Sequence, residues 1–176
     1  MLGRRSGQRG LFEGDHLWID HVGRYSFYGV IAAHRDQLFD DQDFAEVYDS
    51  GQGRPSIPPS LLATALLLQL YDGISDEEAR QRASFDARWK VALGLAMEEK
   101  PFAASTLRRF RDRLLTHPHM RQAFARGIDF LRLRGYVSQE VSLAALELLT
   151  SDEGVEVQIA DAPRRNSRMQ VTEASW

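Results

Sequence analysis

The sequence predicts an all-α fold: a compact multi-helix domain, helix-turn-helix-like in its central pair, followed by a short irregular or β tail. Three observations carry this. From Ser60 to Tyr71 every residue except Ser60, Thr64 and Gln69 is apolar, and a helix apolar nearly all round belongs in a core. Two later stretches, Thr106 to Thr116 and Pro118 to Arg134, space their apolar residues as amphipathic helices do. The short segments between these stretches carry helix stop and start signals.

Each element follows from its residues. Residues 1–23 are rich in Gly and polar groups with no sustained period, so they read as a flexible lead. The run Tyr25 to His34 has aromatics that suit a strand, while Phe27, Ile31 and His34 share a helical face; helix is the favoured reading. Asp40 to Tyr48 reads as a short helix with acids in its first turn and Phe44, Val47 and Tyr48 inward. The Gly and Pro of residues 50–55 mark a loop. Pro58 and Pro59 preset the start of the apolar helix, and Gly73 ends it. Ser75 and Glu78 form a capping box for a second helix, with Ile74 placed to staple onto Ala79. Phe85, Trp89 and Leu93 then recur at helical spacing, which assigns Phe85 and Trp89 to the core in preference to a base-stacking platform. Gly94 closes that segment. Ser105 is expected to cap the helix of Thr106 to Thr116, whose buried stripe is Leu107, Phe110 and Leu114. The next helix turns Met120, Phe124, Ile128 and Leu131 inward and stops at Gly135. Beyond residue 136, Val141 to Leu149 reads as strand or helix, Gly154 to Ile159 alternates as a strand, and the remainder lacks any period.

Composition narrows the function classes. The chain has 176 residues, 43% hydrophobic, and no cysteine, which removes disulfides and thiolate metal sites and fits a reducing compartment. The N-terminus lacks the apolar run of a signal peptide, and the apolar helix is shorter than the roughly 20 residues a bilayer requires. These point to a cytoplasmic chain with no membrane partner, associated with the nucleoid if it binds DNA. The net charge of -3 is unevenly spread. Residues 54–135 hold 14 Lys and Arg against 9 Asp and Glu, between flanks that are each acidic. A basic middle suits a polyanion; a solvated Arg-rich helical surface would look the same.

The chemistry-bearing candidates follow from that charge. Arg108, Arg109, Arg111 and Arg113 occupy the non-apolar positions of one amphipathic helix, offset by Asp112. Guanidiniums there suit phosphate contacts, and such a helix fits a DNA major groove. Arg80, Arg82, Arg88 and Lys90 extend the surface if the central helices pack as a helix-turn-helix. Asp40, Asp41, Asp43 and Glu46 lack the glycine and closing Glu spacing of a calcium loop and read as helix-start carboxylates. His16, His21, His117 and His119 form no zinc motif and read as surface residues. No metal or catalytic residue is assigned, and no nucleophile elbow, phosphate-cradling loop or dinucleotide fingerprint is present.

A set of motifs adds a family. Ser26-Phe27-Tyr28, His34-Arg35-Asp36-Gln37-Leu38-Phe39 and Gly53-Arg54-Pro55-Ser56-Ile57-Pro58 come first. Leu70-Tyr71-Asp72-Gly73-Ile74-Ser75-Asp76-Glu77-Glu78-Ala79 and Phe85-Asp86-Ala87-Arg88-Trp89-Lys90-Val91-Ala92-Leu93-Gly94-Leu95 follow. Ser105-Thr106-Leu107-Arg108-Arg109-Phe110-Arg111-Asp112-Arg113-Leu114 closes the series. Over about residues 24–136 the order resembles bacterial insertion-sequence transposases with an InsH-type N-terminal domain. That resemblance implies a helical domain ahead of a ribonuclease-H-like domain, where an Asp-Asp-Glu triad holds two divalent ions, usually magnesium. Glu147 falls roughly where the first catalytic Asp would be, without the hydroxyl residues expected after it. Only 40 residues follow Tyr136, whereas a domain takes about 100–150. The expectation is therefore a truncated or frame-shifted transposase. Its helical domain spans 24–136, its divergent tail 137–176, and the isolated chain has no catalysis or cofactor. The expected partner is DNA, at terminal inverted repeats, with a second copy or an intact transposase as a further partner. The competing expectations are a helical assembly module without DNA binding, and a relic without a role.

Overall fold

The structure, a computed structural model, describes residues 15–47 and 56–138. Among them the chain forms seven α-helices, one 3-10 helix and no strand. They are α1 (Asp15–Val22), α2 (Phe27–Leu38), the 3-10 helix (Asp41–Val47), α3 (Pro59–Asp72), α4 (Asp76–Phe85), α5 (Ala87–Leu93), α6 (Ala104–Thr116) and α7 (Pro118–Leu133). The expected strand at Gly154 to Ile159, the ambiguous run Val141 to Leu149, and Tyr48 lie outside the described residues.

Helix α3 is the axis of the packing. Residues Pro59 to Gln69 are all buried, and Leu66, Leu67 and Leu68 are each fully so, worth about 1.5–3 kcal/mol apiece. Its ends lie where the prolines and glycine predict: Pro59 opens it and Gly73 takes a left-handed φ of 63° after it. Pro58 has no side chain with which to cap. The carboxylate of Asp41, reaching over from the 3-10 helix, takes the backbone N–H of Ser60 at 2.9 Å instead. That satisfies one orphan donor and places negative charge at the helix N-terminus.

The remaining helices surround α3. The Ser26 hydroxyl accepts the N–H of Gly29 to start α2, which settles the strand-or-helix ambiguity at Tyr25 to His34 in favour of helix. Phe27 stacks on Tyr71 with ring centroids 3.8 Å apart. Helix α2 packs on α5, α3 and α7. Between α2 and α5 the buried Arg35 donates from Nη1 to the Val91 carbonyl at 3.1 Å. Helices α6 and α7 pack as expected, with Leu107, Phe110, Leu114, Met120, Phe124, Ile128 and Leu131 all buried. At the crossing of α7 with the end of α2, a Cβ on Gly127 would lie 2.4 Å from the Phe39 ring, so only glycine admits this approach.

Three expectations about the elements are corrected. Residues 15–22, expected in the flexible lead, form α1 and pack on α5 and α2. The short helix expected at Asp40 to Tyr48 is present as the 3-10 helix Asp41–Val47, with Asp41 and Asp43 in its first turn and Phe44 fully buried as expected. The segment Phe85 to Leu93 is not one helix: Asp86 is extended, and its carboxylate caps α5 through the Arg88 N–H at 2.8 Å. That break turns Phe85 outward, 73% exposed, while Trp89 stays at 0%. Finally, α6 begins two residues earlier than expected, with Ala103 at its N-cap and no side-chain cap, leaving Ser105 exposed on the first turn.

Candidate nucleic-acid interface

Helix α6 divides cleanly. Leu107, Phe110 and Leu114 face the core, and Ser105, Arg108, Arg109, Asp112 and Thr116 are its exposed residues. At about 3.6 residues per turn these five form one stripe opposite the apolar one. Arg111 and Arg113 lie half-buried on the flanks.

Arg111 is committed to the interior. Its Nη2 donates to Gln69 Oε1 at 3.0 Å and pairs with Asp76 Oδ1. Gln69 Nε2 in turn donates to Asp76 at 2.8 Å and to the Ile74 carbonyl at 3.0 Å. One amide from α3, one carboxylate from α4 and one guanidinium from α6 thereby close a junction across three helices. Burial would raise the Asp76 carboxyl. Hydrogen bonds from Arg111 and Gln69 and the charges of Arg111 and Arg108 outweigh it and hold the group below its ordinary value. Arg108 is 74% exposed, with Nε 3.7 Å from Asp76. Arg109 is exposed and makes no ion pair among the described residues.

A second junction sits at the end of α3. Asp72, 7% exposed, accepts from Tyr28 Oη at 2.5 Å, Trp89 Nε1 at 2.8 Å and Arg82 Nη1 at 2.7 Å. Burial, then this carboxylate, raises the Tyr28 phenol well above its ordinary range. Neither junction was anticipated from sequence. The signal for the first was Gln69, a lone amide in an apolar helix that must find partners once buried.

The other candidate cations are largely neutralised. Arg80 pairs with Glu77 at 2.5 Å, Arg82 with Glu78 at 2.9 Å and Asp72, and Arg88 with Asp86 at 2.6 Å. Lys90 corrects the expectation of a surface charge: it is 1% exposed, and its ammonium donates to the Glu99 carbonyl. Helix α4 also opens with Asp76, Glu77 and Glu78. As the second helix of a helix-turn-helix it would offer carboxylates where that motif meets DNA, whereas the solvent face of α6 carries Arg108 and Arg109.

Among the described residues no three His, Cys, Asp or Glu side chains gather as a metal site. Glu147 lies outside them, and the described residues do not fit a two-ion centre. No helix among them is long and apolar enough to cross a membrane.

The class so defined is an all-α domain carrying an arginine-bearing helix on a buried scaffold. The chain belongs to the transposase domain (DUF772) family, whose model matches residues 18–113, from α1 to nearly the end of α6. No curated protein and no solved structure matches it. Membership ties the chain to transposition.

Proposed function

We propose that this chain is a non-catalytic, DNA-binding part of an insertion-sequence transposase, directed to the ends of the element. The observation that carries the reading is the solvent face of α6, where Arg108 and Arg109 project from a helix braced at Gln69, Asp76 and Arg111. A helix with its side chains is about 10–12 Å across, and the major groove is about 12 Å wide. The apolar surface of α3, which motivates the competing assembly reading, is buried inside the chain.

Mobility shifts on element-end duplexes across a salt series test the proposal. Binding is expected to weaken as salt rises, with log K falling by about 0.9 per phosphate neutralised for each decade of salt. Arg109→Ala should make that slope shallower by about one contact. Salt-insensitive binding, or none, would overturn the reading.

A further inference from the structure

The arginine face of α6 has a carboxylate at its centre. Asp112 is exposed, one turn after Arg108 and Arg109 on the same stripe. At separations of four and three residues it is placed to pair with either. Among the described residues it pairs with neither, and no ion pair to it exists. A surface meant only for phosphate gains nothing from such a group, since each phosphate oxygen is repelled by it. Base edges are different: the major groove offers amino donors as well as acceptors, and a carboxylate accepts from cytosine N4.

From this we infer that α6 is a base-reading helix and that Asp112 is a specificity-determining residue for a cytosine in duplex DNA. The inference rests on the DNA-binding reading above and extends it from charge to sequence. Ser105, Arg108 and Arg109 supply the rest of the readout. Arginine is matched to guanine O6 and N7, and serine bonds to either donor or acceptor edges. Ser105, Arg108, Arg109 and Asp112 share one exposed stripe of α6. The absence of a side-chain cap at Ala103 leaves the Ser105 hydroxyl free of a helix-capping role. Arg111, by contrast, is a positioning residue, held by Gln69 and Asp76.

The test is binding-site selection by the full chain from randomised duplexes, followed by mobility shifts with Asp112→Ala and Asp112→Asn. Asp112 is exposed and its carboxylate makes no ion pair, so both variants should keep the wild-type circular dichroism. The wild type should select a G·C-containing site. Asp112→Ala should lose discrimination at one cytosine by about 5-fold or more, the equivalent of the lower bound for a good base contact. At the same time it should bind unselected duplex more tightly. Asp112→Asn should move the preference at that position towards adenine, whose N6 and N7 suit an amide. If both variants bind every duplex more tightly by one common factor, Asp112 only dilutes charge. The inference then fails while DNA binding stands. If the wild type binds no duplex at all, both fail together.

Discussion

Single side chains decide several local questions. Ser60 is 2% exposed and its hydroxyl lacks a hydrogen-bond partner among the described residues. Leaving such a group unpaired costs about 1–3 kcal/mol. Ser60→Ala is therefore expected to be neutral or stabilising, seen as an equal or higher urea midpoint with an unchanged slope. Gly94 is the opposite case. Its φ is +67°, and an added Cβ would meet the Arg35 guanidinium at 2.1 Å. Gly94→Ala combines left-handed strain with displacement of the group that holds the Val91 carbonyl. We expect a loss of about 1–3 kcal/mol, of the size seen when a core is overpacked, and the same urea titration measures it. The buried arginine could not be foreseen from residue type, because arginine is nearly always exposed unless paired.

At the scale of elements, helix boundaries were legible wherever the backbone is constrained. Pro59 and Gly73 bracket α3 as read from sequence because proline and glycine act through their own geometry. The break between α4 and α5 was hidden because Phe85, Trp89 and Leu93 keep the helical period across it, masking Asp86 as a cap. The arginine face of α6 was visible from periodicity, but which arginine is spent on the interior was not. Arg111 meets partners 42 and 35 residues away in sequence, and such pairings follow from tertiary packing. This junction has a pH signature. Asp76 is held below its ordinary value when folded, so its contribution is complete above the unfolded carboxyl value of about 3.9. It is lost as pH falls through the lower folded value. Acid unfolding curves should show Asp76→Asn less stable near neutrality, with the difference from wild type shrinking through that acid range.

At the scale of the molecule, one apolar core joins α2 to α7 and the 3-10 helix, running from Phe27 to Val137. A core shared in this way predicts one cooperative transition, in which far- and near-ultraviolet circular dichroism report the same midpoint. Phe110→Ala should lower that shared midpoint by the equivalent of about 3–5 kcal/mol without splitting it, because Phe110 on α6 packs against Phe44 of the 3-10 helix at 5.7 Å. The seal around Trp89 also equips the chain with an internal optical gauge. Its indole, 0% exposed, is pinned to Asp72, while Trp18 is 41% exposed. Emission from Trp89 should be blue-shifted and shielded from iodide, and emission from Trp18 redder and quenched. A partner landing on α6 leaves the first signal untouched unless it shifts α3, so in a chain with Trp18→Phe and Trp176→Phe fluorescence separates docking from deformation in one titration.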